Sequence, residues 1–114
     1  MKLWIVATPI GNLADLSARA TEVLKTVGRV AAEDTRRTRK LLSHLGVEGR
    51  ALEALHAHSS ERDVARVVER LEAGEDVALV TDAGTPAVSD PGEALVARAI
   101  AAGVRVVPIP GPSA

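Results

Sequence analysis

The chain has 114 residues, enough for one domain with a modest core, and its 46% hydrophobic and 25% charged residues are those of an ordinary globular protein. A formal net charge of −1 excludes a general polyanion binder, and the lack of cysteine excludes disulfides and thiolate metal sites. Trp4 is the only aromatic residue, so a nucleic-acid site built on stacked rings is excluded as well.

Leu3 to Ala7 is an apolar run that predicts a buried first strand, punctuated by Thr8-Pro9-Ile10-Gly11-Asn12. Met1-Lys2 leads straight into that strand rather than into a signal peptide, and no apolar run is long enough to span a membrane. Both point to the cytoplasm. Asp15 or Ser17 caps a helix that carries Ala18, Ala20, Val23, Leu24 and Val27 and stops at Gly28. Arg29 to Ala32 follows as a second short strand. Asp34 or Thr35 caps the next helix, which runs to about Leu45 with Gly46 as its stop.

A third strand is expected within Arg50 to His58, on the weakest pattern in the chain. Ser59 or Ser60 caps a helix whose Val64, Val67, Val68 and Leu71 repeat with a helical period, closed by Ala73-Gly74. Val77-Ala78-Leu79-Val80 is a fourth, fully apolar strand, and it breaks into Thr81-Asp82-Ala83-Gly84-Thr85-Pro86. Asp90-Pro91 opens a helix over Ala94 to Ala102 with Leu95, Val96, Ala99 and Ile100 expected inward. Gly103 ends it, Val104 to Ile109 is a fifth strand, and Pro110-Gly111-Pro112-Ser113-Ala114 ends the sequence. This final turn should lead into another helix, which suggests a piece of a longer chain.

Alternating strands and helices predict an α/β fold, a three-layer αβα arrangement around an open parallel sheet with right-handed crossovers. Three loops then gain importance: Thr8 to Asn12, Thr81 to Pro86 and Pro110 to Ala114. Each mixes proline, glycine and small hydroxyl residues after an apolar strand. In a parallel sheet the carboxyl ends of the strands are where ligands bind. If these strands are neighbours, the loops form one pocket lined with backbone amides. None of them matches the P-loop or the Gly-x-Gly-x-x-Gly fingerprint, and none carries a lysine or arginine. That points away from nucleoside triphosphates and towards a ligand with little negative charge. Taken singly, each loop is as consistent with an ordinary turn.

The residues of these loops resemble the tetrapyrrole methylase superfamily, and within it the branch that methylates small-subunit ribosomal RNA. The resemblance is carried by Val6-Ala7-Thr8-Pro9-Ile10-Gly11-Asn12-Leu13, by Ala32-Glu33-Asp34-Thr35-Arg36, by Val80 to Gly92 (VTDAGTPAVSDPG) and by Pro108 to Ala114 (PIPGPSA). It implies a five-stranded parallel sheet forming the amino-terminal domain, residues 1–114, of a two-domain methyltransferase whose carboxy-terminal domain is not in this sequence. It implies S-adenosylmethionine as cofactor, held by Pro9, Ile10, Ala83, Gly84, Thr85, Val88, Ser113 and Ala114. Thr85 stands where many members of the superfamily carry an aspartate, so the detail of the cofactor grip there differs. The implied reaction is methyl transfer to the ribose 2′-hydroxyl of a cytidine in 16S ribosomal RNA within the 30S subunit, by a full-length homodimer. Methylation of a precorrin-like or diphthine-like substrate is one alternative. A ribosome-binding module without activity is another; an isolated domain of this kind is expected to be inactive.

A sulfonium methyl group is already activated, so the protein's main task is alignment, helped by a base that takes the hydroxyl proton. Glu33, Asp34 and Asp82 are the candidates because they sit at strand ends. Asp34 doubles as an N-cap, and Asp82 as a turn-stabilising side chain. Arg36, Arg37, Arg39 and Lys40 form a basic cluster. Such runs usually mark a solvated helix face, yet the helix dipole disfavours cations in a first turn by about 0.3–1 kcal/mol each. Their presence there suggests contact with the RNA backbone. His56 and His58 have no third ligand nearby and fit a polar strand end better than a metal site, although His58 matches a histidine of the family and so could face the substrate cleft. His44 sits near a helix end, where histidine is commonplace.

Overall fold

A computed structural model describes residues 1–8, 16–47, 51–55, 61–81 and 92–109. The elements in chain order are β1 (Lys2–Ala7), α1 (Ala18–Thr26), β2 (Arg29–Ala32), α2 (Thr35–His44), β3 (Ala51–Ala54), α3 (Glu61–Glu72), β4 (Val77–Thr81), α4 (Gly92–Ala101) and β5 (Arg105–Ile109). All strand pairs are parallel, in the order β3-β2-β4-β1-β5. The β1→β2→β3 connections step one way across the sheet and the β3→β4→β5 connections step back.

Right-handed crossovers place helices of opposite step on opposite faces. The buried side chains divide in that way. Leu3 and Ile5 of β1 and Val77 and Leu79 of β4 pack with Val64, Val67, Val68 and Leu71 of α3 and with Leu95 and Ala99 of α4. Val6, Ala78 and Val80 pack on the other face with Ala20, Val23 and Leu24 of α1 and Leu41 and Leu42 of α2. The two-residue alternation of a strand thus feeds two cores at once, which explains why all five residues of β4 are buried.

Local chemistry sets the helix ends. The Ser17 side chain accepts the Ala20 N–H at 3.1 Å and starts α1. At the end of α2, Gly46 takes φ 74°, with its N–H on the Ser43 carbonyl and the Val47 N–H on the Leu42 carbonyl. This is a Schellman closure, and the left-handed backbone it requires is open to glycine without strain. The Gly103 N–H and Val104 N–H close α4 in the same manner, on Ile100 and Ala99. That is why β5 begins at Arg105 and not at the expected Val104: the Val104 N–H is already engaged by the helix.

One inward assignment is corrected. Ile100 is 61% exposed. Gly92, Leu95 and Ala99 form the buried line of α4, and Ile100 lies a further 100° round the helix, turned off the sheet. Ala18 is exposed in the first turn of α1, before the buried Ala20–Val23–Leu24 stripe comes round. β3 occupies Ala51–Ala54 of the broader stretch expected for it. Arg50 and residues 56–58 lie outside the described residues, as do the expected caps Ser59, Ser60 and Asp90.

Candidate active site

The strands of interest are consecutive neighbours, β4-β1-β5. Their registers pair Ala7 with Thr81 and Val6 with Ile109, so the strands end level at one edge of the sheet. From that edge, β1 sends its connection to one face and β4 sends its own to the other. Such a divergence between adjacent parallel strands opens a crevice at their carboxyl ends, the usual ligand position in an open α/β sheet.

Thr8 and Thr81 stand side by side at the carboxyl ends of β1 and β4, at this switch point. Both are buried, at 4% and 9% exposure. The Thr8 N–H donates to the Thr81 carbonyl at 2.9 Å, and the Thr8 hydroxyl donates to the same oxygen at 2.9 Å. The β1–β4 ladder therefore continues one residue past the end of β1. Among the described residues, the ends of β1, β4 and β5 present no cation to the crevice: Ala7, Thr8, Thr81 and Ile109 are neutral. The ring of Trp4 lies further back in β1, half-buried, with the Lys2 ammonium 5.3 Å from its centroid.

β2 lies on the other side of β4, with Ala32 opposite Val80. Glu33 and Asp34 therefore leave the sheet at the same edge, beside the crevice. Asp34 caps α2, its Oδ1 accepting the Arg37 N–H at 3.0 Å. Glu33 is exposed.

Arg36, Arg37, Arg39 and Lys40 are all exposed, whereas Thr38, Leu41 and Leu42 are buried. The four cations thus share the solvent side of the first turns of α2. No acidic residue lies within α2, and among the described residues no ion pair reaches these four. By contrast, α3 mixes acids with bases and pairs Asp63 with Arg66. Elsewhere among the described residues, ion pairs gather at the opposite, amino edge of the sheet, around Arg29 with Glu53 and Glu75, Arg70 with Glu75, and Met1 with Asp76.

Pro9, Ile10, Asp82, Ala83, Gly84, Thr85, Val88, Ser113 and Ala114 lie outside the described residues, as do His56 and His58. The structure places the strand ends from which their segments depart. Among the described residues, no three His, Cys, Asp or Glu side chains come together to hold a metal ion, and no helix is long and apolar enough to cross a membrane. Sequence reasoning grouped Thr8 with its loop but missed the clasp it makes with Thr81. Residues 73 positions apart give no local signal of such a bond.

Comparison with known proteins adds lineage to this geometry. The family model described as Tetrapyrrole (Corrin/Porphyrin) Methylases matches residues 2–114. A protein of Xylella fastidiosa strain Temecula1 named ribosomal RNA small subunit methyltransferase I is 61% identical over 98% of the chain, which covers 41% of that relative. The protein of the same name from Escherichia coli O157:H7 is 52% identical over 99% of the chain, covering 39% of its length. The chain thus spans about two fifths of the curated relatives it matches. Among solved structures, the uroporphyrin-III-C-methyltransferase of Thermus thermophilus superposes with a TM-score of 0.71 at 22% identity, over 98% of this chain and 48% of that one. A diphthine synthase superposes with a TM-score of 0.77 at 21% identity, over 99% of this chain and 45% of its own. At such identities these two share the fold.

Proposed function

The chain belongs to the tetrapyrrole methylase family, and on that premise we propose that it forms the amino-terminal domain of an S-adenosylmethionine-dependent methyltransferase acting on the ribose 2′-hydroxyl of a cytidine in 16S ribosomal RNA. The observation that carries this reading is the level ending of β4, β1 and β5 at a switch point, with Thr8 and Thr81 between the diverging connections. A crevice with neutral strand ends suits a ligand with little negative charge better than a nucleoside triphosphate. The residues proposed to hold the cofactor are Pro9, Ile10, Ala83, Gly84, Thr85, Val88, Ser113 and Ala114, in the segments that leave this edge. S-adenosylmethionine supplies an activated methyl group when bound.

What the chain itself contributes is alignment, which in a well-oriented reaction is worth about 7–11 kcal/mol of barrier, and a proton acceptor for the hydroxyl. With the Asp34 carboxylate engaged as the α2 cap, Glu33 and Asp82 are the residues for that role. The cations Arg36, Arg37, Arg39 and Lys40 stand beside the crevice, on the helix that starts where β2 ends. They suit the RNA backbone. Relatives at 61% and 52% identity named for small-subunit ribosomal RNA support this substrate. The 30S subunit as the state acted on, the cytoplasm as its place and a homodimer as the assembled form belong to the same reading.

The test is an NMR titration with S-adenosylhomocysteine, joined to methylation of 30S subunits by the full-length protein that carries this sequence. Amide shifts at 10–12, 83–88 and 113–114, with label found on a cytidine ribose, are expected. Full-length protein that neither binds S-adenosylhomocysteine nor labels 16S ribosomal RNA would overturn the reading.

A further inference from the structure

We propose that Thr8 is a positioning residue for the methyl-donor site: its hydroxyl locks the carbonyl of Thr81 and so sets the direction in which the segment after β4 departs. This rests on reading the crevice as that site. A carbonyl oxygen has two lone pairs, and here one residue engages it twice, through its N–H at 2.9 Å and its hydroxyl at 2.9 Å. A parallel ladder needs only the first of these bonds. The hydroxyl adds a second bond to the same oxygen and so restrains the Thr81 peptide beyond what the ladder does.

That carbonyl is the last of β4, next in sequence to the stretch that carries Ala83, Gly84, Thr85 and Val88. Threonine suits the task. Its β-branch restricts χ1, and burial at 4% exposure holds the hydroxyl on its acceptor. A site that recognises its ligand through backbone groups depends on such support, because a displacement of about 0.5 Å already degrades a productive geometry.

The clasp separates positioning from folding. Thr8→Val keeps the β-branched shape and the backbone bond, so the Thr81 carbonyl stays partnered and the sheet stays closed. The bond from the hydroxyl to the Thr81 carbonyl is lost. Thr26, whose hydroxyl donates to the Val23 carbonyl at 3.2 Å near the end of α1, supplies a matched control, Thr26→Val.

The experiment measures S-adenosylhomocysteine affinity by calorimetry, well below the melting midpoint, in the full-length protein. Thr8→Val is expected to weaken binding about fivefold to tenfold, the equivalent of one hydrogen bond. Thr8→Ser is expected to restore binding to within about twofold, because the donor returns without the methyl group, while Thr26→Val leaves it unchanged. Thr8→Val binding as tightly as the parent would overturn the inference. So would equal weakening by Thr8→Val and Thr26→Val, which would mark a general loss of rigidity. A parent protein that fails to bind S-adenosylhomocysteine overturns the methyl-donor reading itself, and this inference with it.

Discussion

The carboxylate of Asp34 accepts the backbone N–H of Arg37 at 3.0 Å, joining the end of β2 to the first turn of the basic helix. One acidic side chain thereby satisfies an orphan N–H and lowers the local potential where Arg36 and Arg37 oppose the helix dipole. It also accounts for how four cations are tolerated at the start of a helix that has no acid of its own.

Capping and proton transfer at Asp34 are separable by two substitutions. Asn caps about as well as Asp, whereas Ala does not cap. Asp34→Asn is expected to keep stability within about 0.5 kcal/mol, and methyl transfer by the full-length protein within a few-fold. Asp34→Ala is expected to lose about 0.5–2 kcal/mol in urea unfolding. A collapse of activity in Asp34→Asn at unchanged stability would instead assign the base to Asp34.

Charge reversal of Arg36 and Arg37 is expected to weaken RNA binding and flatten its salt dependence. Every phosphate that the protein no longer neutralises reduces the slope of log K against log salt by about 0.7–0.9. Filter binding across a salt series measures that slope. An unchanged slope would mean that the basic face of α2 is solvated in the complex.

Arg29 and Glu53 make the shortest ion pair at the amino edge, 2.8 Å between Nη1 and Oε1, with side chains only 15% and 21% exposed. Arg29 Nε also lies 3.7 Å from Glu75, so removing Glu53 leaves the guanidinium with a carboxylate neighbour. A double-mutant cycle is expected to give a coupling of about 1 kcal/mol, at the upper end for exposed pairs. The coupling should fall only slightly between low and high salt, since the pair is largely shielded from solvent.

Neighbouring turns of α4 should respond very differently. Leu95 is fully buried between helix and sheet, and Leu95→Ala is expected to lose about 2–5 kcal/mol. Ile100, 61% exposed, should accept serine with a change of about 0.5 kcal/mol or less in the isolated chain. Chemical denaturation of the two variants provides the comparison.

Sequence alone determined the elements and much of their chemistry. The helical period of Val64, Val67, Val68 and Leu71 and the apolar run Val77 to Val80 reflect burial by neighbours along the chain, so local pattern suffices to recognise them. The glycine stops at 46, 74 and 103 are legible for the same reason, since a left-handed residue is a local requirement. The loop motifs pointed to the family by themselves. Tertiary structure decided what lies beside what. The order β3-β2-β4-β1-β5 interleaves strands distant in sequence, because opposite-stepping crossovers insert β4 between β2 and β1. That insertion makes β4, β1 and β5 neighbours and brings Glu33 and the basic face of α2 to the same edge. It also lets Thr8 reach the carbonyl of Thr81, 73 residues away. The phase of α4 was decided in the same way. An apolar Ile100 satisfies a helical pattern equally well on either shoulder, and only the position of the sheet determines which shoulder is covered.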